Sequence, residues 1–90
     1  MPYIDPILRK DLDPSIEQLY VALDSLPTEF IPGCLNYIIS KLSFKLIARD
    51  RGYATMSCVR GAIGDAYDEF YRRLMIPYED EKIKQNGDVV

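Results

Sequence analysis

Apolar residues recur every three or four positions in three separate stretches of this chain, and that spacing constrains the fold more than any other feature. The three sets are Ile16, Leu19, Tyr20, Leu23 and Leu26; then Leu35, Ile38, Ile39, Leu42 and Leu46; then Val59, Ala62, Ile63, Ala66, Phe70 and Leu74. Such spacing places each set on one face of an α-helix. No stretch of useful length alternates as a β-strand does. The sequence therefore predicts an all-α fold, a small domain of three main helices.

Proline and capping residues indicate where the first helix begins. Asp13-Pro14 is typical of a helix start, because Asp caps the first turn and Pro fits the first helical position. We therefore expect residues 1–12 to form an N-terminal arm with at most a short turn of helix. Residues 13–90 are expected to form a single helical domain, and Ser25 to Thr28, with Pro27, should end the first helix.

The connections between the later helices are predicted from the same signals. Phe30–Gly33 is expected to be a loop that precedes a second helix from about Cys34 to Arg49. Gly52 suits a left-handed cap position after that helix, and Thr55 can cap the third helix.

The third helix should be broken or kinked near its end. Its pattern reaches Pro77, whose ring displaces a backbone hydrogen bond. A last turn or two should follow before Asn86-Gly87, which is a C-terminal stop signal.

The second helix is apolar on two faces, because Tyr37, Phe44 and Ala48 lie roughly opposite its main stripe. Such a helix is covered on two sides. It lies either between two helices of its own chain or against a partner subunit. A chain of 90 residues buries only about 60–65% of its unfolded surface, which favours assembly into a homo-oligomer.

Composition excludes several classes of function. A net charge of −3 argues against broad nucleic-acid binding, which depends on neutralising phosphates. The chain has no histidine, the commonest metal ligand and the commonest general base near neutral pH. Cys34 and Cys58 lack metal-site spacing and are expected to be buried free thiols. We predict a non-enzymatic protein with no cofactor, no metal site and no catalytic residue.

The termini and the apolar runs predict where the protein is found. Met1-Pro2-Tyr3-Ile4 lacks the basic and apolar regions of a signal peptide. No apolar run approaches the ~20 residues of a membrane span. A cytoplasmic protein that does not interact with membranes is expected.

The C-terminal stretch from Glu69 to Val89 holds most of the candidate binding residues. A tyrosine beside an arginine can sandwich a planar base while the arginine contacts a phosphate, although tyrosines also pack at protein interfaces. The candidate ligand-binding residues are Arg60, Tyr71, Arg72, Arg73, Tyr78 and Asn86.

The arginines differ in their expected roles. Asp68 and Arg72 form an i, i+4 pair that is expected to be a solvated surface pair. Arg73 falls inside the apolar stripe of the third helix. Its guanidinium must therefore either pair with Glu69 or line a pocket.

Two further features leave alternatives open. Gly61 and Gly64 share the helix face opposite the core stripe, which indicates either a tight helix crossing or a ligand close to the backbone. The acidic run from Pro77 to Glu81 is expected to be a solvated turn rather than a cation site. Asp65, Asp68 and Glu69 can in principle do acid–base work, but no phosphate loop or serine elbow accompanies them.

The C-terminal residues also carry a resemblance. The run Glu69-Phe70-Tyr71-Arg72-Arg73, then Pro77-Tyr78-Glu79-Asp80, Lys82 and Asn86-Gly87-Asp88-Val89, resembles a family of short proteins encoded mostly by bacteriophages and prophages. Its members have no assigned function. The segment 35–42 and the Pro-Tyr-Ile opening are similar to the same family.

This resemblance implies a helical, oligomeric, non-catalytic protein in the host cell cytoplasm. Small phage proteins of this kind often bind a host component, and some sequester nucleotide-derived signals of bacterial immunity. A small anionic, nucleotide-like ligand is therefore one expectation. A protein-interaction factor, either an inhibitor of a host protein or an accessory of phage assembly, is the alternative.

Overall fold

The computed structural model describes residues 3–90, and most of them are helical. The elements are α1 (Pro6–Asp24), one 3₁₀ turn (Thr28–Phe30), α2 (Ile31–Arg49), α3 (Tyr53–Phe70), one π-helical turn (Tyr71–Met75) and α4 (Ile76–Asn86). No β-strand occurs within residues 3–90. Because α3, the π turn and α4 follow one another without a break, the chain has three main helices, as predicted.

α1 begins earlier than the sequence predicted. The Asp5 carboxylate accepts a hydrogen bond from the backbone N–H of Ile7 at 3.1 Å, and Pro6 occupies the first turn. Pro14 lies inside the helix. The predicted start at Asp13-Pro14 is therefore wrong, because the upstream Asp-Pro pair carries the same capping signal and is the one that is used. Residues 6–12 of the predicted arm are helical, and residues 1 and 2 lie outside the described part.

α2 also begins earlier than predicted. α1 ends at Asp24, in agreement with its predicted end. The predicted loop at Phe30–Gly33 is wrong, since a 3₁₀ turn leads directly into α2 at Ile31. Pro32 stands in the first turn of α2, where the missing N–H has no intrahelical partner to lose.

Asp50 organises the corner between α2 and α3. One of its carboxylate oxygens accepts the backbone N–H of Gly52 at 3.3 Å, and the other accepts the Thr55 hydroxyl at 2.8 Å. Gly52 has φ of −75°, so its predicted left-handed conformation is wrong. Thr55 lies inside α3 and does not cap it. Because the Asp50 carboxylate already accepts hydrogen bonds from the start of α3, neither Gly52 nor Thr55 has to act as a cap.

Pro77 produces a π turn where the sequence predicts a kink or a break. The backbone N–H of Ile76 donates to the carbonyl of Tyr71, five residues earlier. This wider turn ends at Met75, two residues before Pro77, which cannot donate to the ladder. α4 then ends at Asn86, and Gly87 (φ +89°) donates its N–H to the Ile83 carbonyl at 2.8 Å. The predicted stop at Asn86-Gly87 is confirmed.

The helices do not enclose a core. None of the residues from 3 to 90 is buried, and the chain exposes 8231 Å². A compact monomer of its mass exposes about 5,400 Å². The radius of gyration is 16.8 Å, against about 12 Å for a compact chain of this length. One chain therefore leaves roughly 2,800 Å² more surface open than a folded monomer does.

Because the helices are arranged openly, both cysteines are more exposed than predicted. Cys34 is half-buried and Cys58 is exposed. The prediction of two buried thiols is wrong, because helical periodicity identifies an apolar face but not whether another helix covers it.

The glycines of α3 face open space within the chain. A Cβ added at Gly61 or Gly64 meets no atom within 4 Å. The predicted close approach to the backbone is therefore not made by another helix of the same chain, and a second copy or a ligand would have to make it.

We expect Gly64→Ala to stabilise the protein by up to about 1 kcal/mol, because alanine is the better helix former and its methyl group has space. Thermal unfolding followed by circular dichroism measures the change. Gly87→Ala is the contrasting variant, since its φ and ψ are accessible essentially to glycine alone. It should increase amide exchange in the last turn of α4. A lower melting temperature for Gly64→Ala would mean that the assembled protein covers this face.

Candidate ligand-binding site on the π turn

Arg73 lies on the π turn beside an open groove. The groove has a volume of about 400 Å³ and is lined by Ala66, Glu69, Phe70, Arg73 and Leu74. The Phe70 ring is 57% exposed and the Arg73 side chain is 56% exposed. The groove therefore offers an aromatic surface and a cation side by side.

Glu69 connects the two arginines. Its Oε1 lies 2.5 Å from Arg72 Nη2 and 3.8 Å from Arg73 Nε. The predicted pairing of Asp68 with Arg72 is wrong, because Glu69 occupies the neighbouring i, i+3 position and takes the guanidinium. The sequence predicts that Arg73 either pairs with Glu69 or lines a pocket. It does both, since it pairs loosely with Glu69 and also lines the groove.

Tyr3 joins the beginning of the chain to this cluster. Its hydroxyl accepts a hydrogen bond from Arg73 Nη1 and donates one to Glu69 Oε1 at 3.3 Å. The sequence reasoning did not identify Tyr3 as a site residue. No local pattern can reveal a contact across 66 residues of chain, and the only available signal was its place in the family-like opening.

Electrostatic interactions raise the pKa of two candidate residues, Arg72 and Tyr71. The hydrogen bond that Arg72 donates to Glu69, reinforced by the negative charge of Glu69, raises the pKa of the Arg72 guanidinium above its ordinary value. The negative charge of Glu79 raises the pKa of Tyr71, and the hydrogen bond from the Tyr71 hydroxyl to Glu79 Oε2, at 3.3 Å, adds to this effect. At neutral pH Arg72 is thus a permanent cation, and Tyr71, which does not line the groove, is a neutral phenol that donates to Glu79.

The remaining candidate residues lie apart from the groove. The Lys82 ammonium sits 5.5 Å from the centre of the Tyr78 ring, so a cation of the same chain already covers that ring. Arg60 and Asn86 are each thirteen residues from Arg73, which at 1.5 Å per residue places them about 20 Å away along the helical axis. Within one chain a small ligand cannot touch Arg73 and either of these residues.

A second groove lies between α1 and α2 and has a volume of about 450 Å³. Leu19, Leu23, Leu26, Cys34 and Ile38 are among its lining residues. It contains no charged side chain, so it suits an apolar group and not an anion.

Residues 3–90 lack both a metal-ligand cluster and a membrane-spanning helix. They contain no group of three or more histidine, cysteine, aspartate or glutamate side chains placed to hold a metal ion. In the same range, no helix is both long enough and apolar enough to cross a bilayer.

The fold and this cluster define a small all-α protein with an open framework and a mixed aromatic and cationic groove. The chain belongs to the family described as domain of unknown function (DUF6899), whose profile matches residues 1–89. This agrees with the resemblance to a family without an assigned function. No curated protein and no solved structure shows a significant match to the chain.

We expect Glu79→Gln to lower the pKa of Tyr71 towards its ordinary value. The pKa of Tyr71 is raised in the folded state. The Tyr71–Glu79 interaction therefore contributes stability below the unfolded-state value of about 10 and loses it as pH rises through the folded-state value. Carbon-13 NMR of the tyrosine Cζ between pH 8 and 12 measures the shift.

Asp80→Asn is the matched control, because it removes one negative charge from the adjacent position without removing the hydrogen bond. It should leave the Tyr71 titration nearly unchanged. An equal response to both variants would show that general surface charge, and not the Glu79 contact, controls Tyr71.

Proposed function

We propose that this is a phage-encoded, non-enzymatic binding protein that acts as a homo-oligomer in the host cell cytoplasm. In this proposal it sequesters a small anionic, nucleotide-derived signalling molecule and so counteracts host immunity. The observation that carries the proposal is the position of the Arg73 guanidinium beside the exposed Phe70 ring in one open groove.

The charges of the cluster favour an anion. Around Glu69, the two positive charges of Arg72 and Arg73 exceed its one negative charge, which leaves this ion-paired cluster with one net positive charge. Arg72 is held tightly by Glu69, whereas the 3.8 Å separation leaves Arg73 with N–H groups for a phosphate. A guanidinium binds phosphate oxygens in pairs, and an exposed aromatic ring stacks on a base.

The open surface of the chain supports the homo-oligomeric part of the proposal. Roughly 2,800 Å² of excess surface is the size that obligate assemblies bury. A second copy would also be the only means of bringing Arg60 or Asn86 to the groove of Arg73.

The acidic side chains near the groove support binding more than catalysis. Asp65 and Asp68 are exposed on α3, and Glu69 is engaged by Arg72, Arg73 and Tyr3. A general acid or base with a perturbed pKa normally needs a site that is shielded from water.

We expect a cyclic dinucleotide or an ADP-ribose derivative to bind with measurable heat and to raise the melting temperature. Arg73→Ala should weaken binding by about 10- to 100-fold, since it removes a charge-assisted hydrogen bond of roughly 1.5–3 kcal/mol. Isothermal titration calorimetry measures the affinity.

Arg51→Ala is the matched control, because Arg51 lies in the α2–α3 corner and away from the groove. It should bind like the unmodified chain. Loss of affinity in Arg60→Ala as well as Arg73→Ala would place the ligand between two copies. No heat and no thermal shift with any of these nucleotides would rule out the nucleotide part of the proposal.

A protein-interaction factor is the second candidate, as an inhibitor of a host protein or an accessory of phage assembly. The observation that favours it is the uncharged groove between α1 and α2, which suits an apolar side chain of a partner. A stoichiometric protein captured from host lysate, and released when Leu19→Glu is introduced, would support this candidate over nucleotide binding.

A further inference from the structure

Four aliphatic residues of α2 form a continuous open stripe, which we call the leucine seam. Its members are Leu35, Ile39, Leu42 and Leu46. Their exposed fractions lie between 40% and 52%, so the rest of residues 3–90 leaves about half of each residue's surface open. Their alternating spacing of four, three and four residues is that of the a and d positions of a coiled coil.

Parts of α2 outside the seam pack against the chain itself, whereas the side that carries Phe44 is open. Cys34 and Ile38 are half-buried and line the groove shared with α1. Ile47 is half-buried near the corner with α3. Because none of the seam residues lines either groove, the seam is a separate surface.

We propose that a second copy of this chain covers the leucine seam, with the two α2 helices packed antiparallel about a two-fold axis between Ile39 and Leu42. This inference rests on the homo-oligomeric part of the proposed function and specifies its interface. The excess surface of about 2,800 Å² per chain is more than the ~800 Å² that each partner of a stable dimer buries.

The order of the seam residues fits a two-fold interface. The spacing of four, three and four reads the same in both directions along the helix. In an antiparallel pair, Leu35 therefore meets Leu46 of the second copy, and Ile39 meets Leu42. A self-complementary surface of this kind is what an isologous dimer requires.

The charges of α2 select the antiparallel orientation. The helix carries Lys41, Lys45 and Arg49 but no acidic residue between Ile31 and Arg49. Arg49 continues the seam three positions after Leu46, so a parallel pair would bring two guanidinium groups together. The antiparallel pair separates them, opposes the helix dipoles and places each Arg49 opposite Pro32 in the first turn of the other copy's α2.

Light scattering of the full chain and two variants tests the seam. The unmodified chain should have at least twice the mass of one chain, which is 10.4 kDa. Leu42→Glu should reduce that mass, because it places a carboxylate in the apolar contact. Phe44→Glu is the matched control, since Phe44 is 74% exposed and lies on the other side of α2. It should leave the mass unchanged.

Cross-linking decides the orientation and does not depend on a charged variant folding. In a Cys34→Ser, Cys58→Ser background, the double variant Leu35→Cys, Leu46→Cys should form a covalent dimer with a short bismaleimide. Each single variant should not, because in the antiparallel pair like residues lie about 16 Å apart along the helix. If Leu42→Glu unfolds, this result alone supports or overturns the proposal.

A failure of the proposed seam and a failure of the homo-oligomer would give different results. An oligomer whose mass and helicity are unchanged in Leu42→Glu would overturn the seam but leave the homo-oligomer. A monomeric unmodified chain at 100 µM or so would overturn both. Cross-linking of Leu46→Cys alone would show a parallel pair and overturn the proposed interface.

Discussion

Apolar surface that one chain does not cover is the constraint on which the rest of this structure depends. Each main helix presents an apolar stripe, but the helices meet mainly at their corners, so no described residue is buried. Burial of apolar surface is the dominant favourable term in folding, at roughly 25 cal/mol per Å². A chain whose helices stay this open must find that burial elsewhere. The leucine seam and the groove between α1 and α2 are the apolar surfaces that the proposed assembly would cover.

The arrangement of the candidate binding site depends on the π turn. Pro77, which cannot donate to the helix ladder, lies two residues after its end. The turn carries Arg72 and Arg73, and Glu69 lies just before it, within reach of both guanidinium groups. Tyr3 then reaches the same carboxylate from the other end of the chain. A local backbone adjustment to Pro77 and one distant contact thus bring the cluster together, and π turns are frequently found at functional sites.

The two proposed surfaces lie on different elements and can act together. The leucine seam belongs to α2, whereas the anion-binding groove belongs to the junction of α3 and α4. The proposed contact through α2 involves neither Arg73 nor Phe70, which lie on other elements. Within one chain about 20 Å separates Arg60 and Asn86 from Arg73, so in the proposed assembly a second copy would have to bring either residue to the groove.

The sequence by itself determined the helical class, the end of α1, the stop at Gly87 and the disturbance at Pro77, because periodicity, capping and proline chemistry act over a few residues. It did not distinguish between two equivalent Asp-Pro starts, nor did it choose Glu69 over Asp68 as the partner of Arg72. Only the tertiary structure decided that Tyr3 meets Arg73 and that the apolar stripes remain open. Those outcomes depend on how whole helices are placed relative to one another, and no spacing along the chain encodes that placement locally.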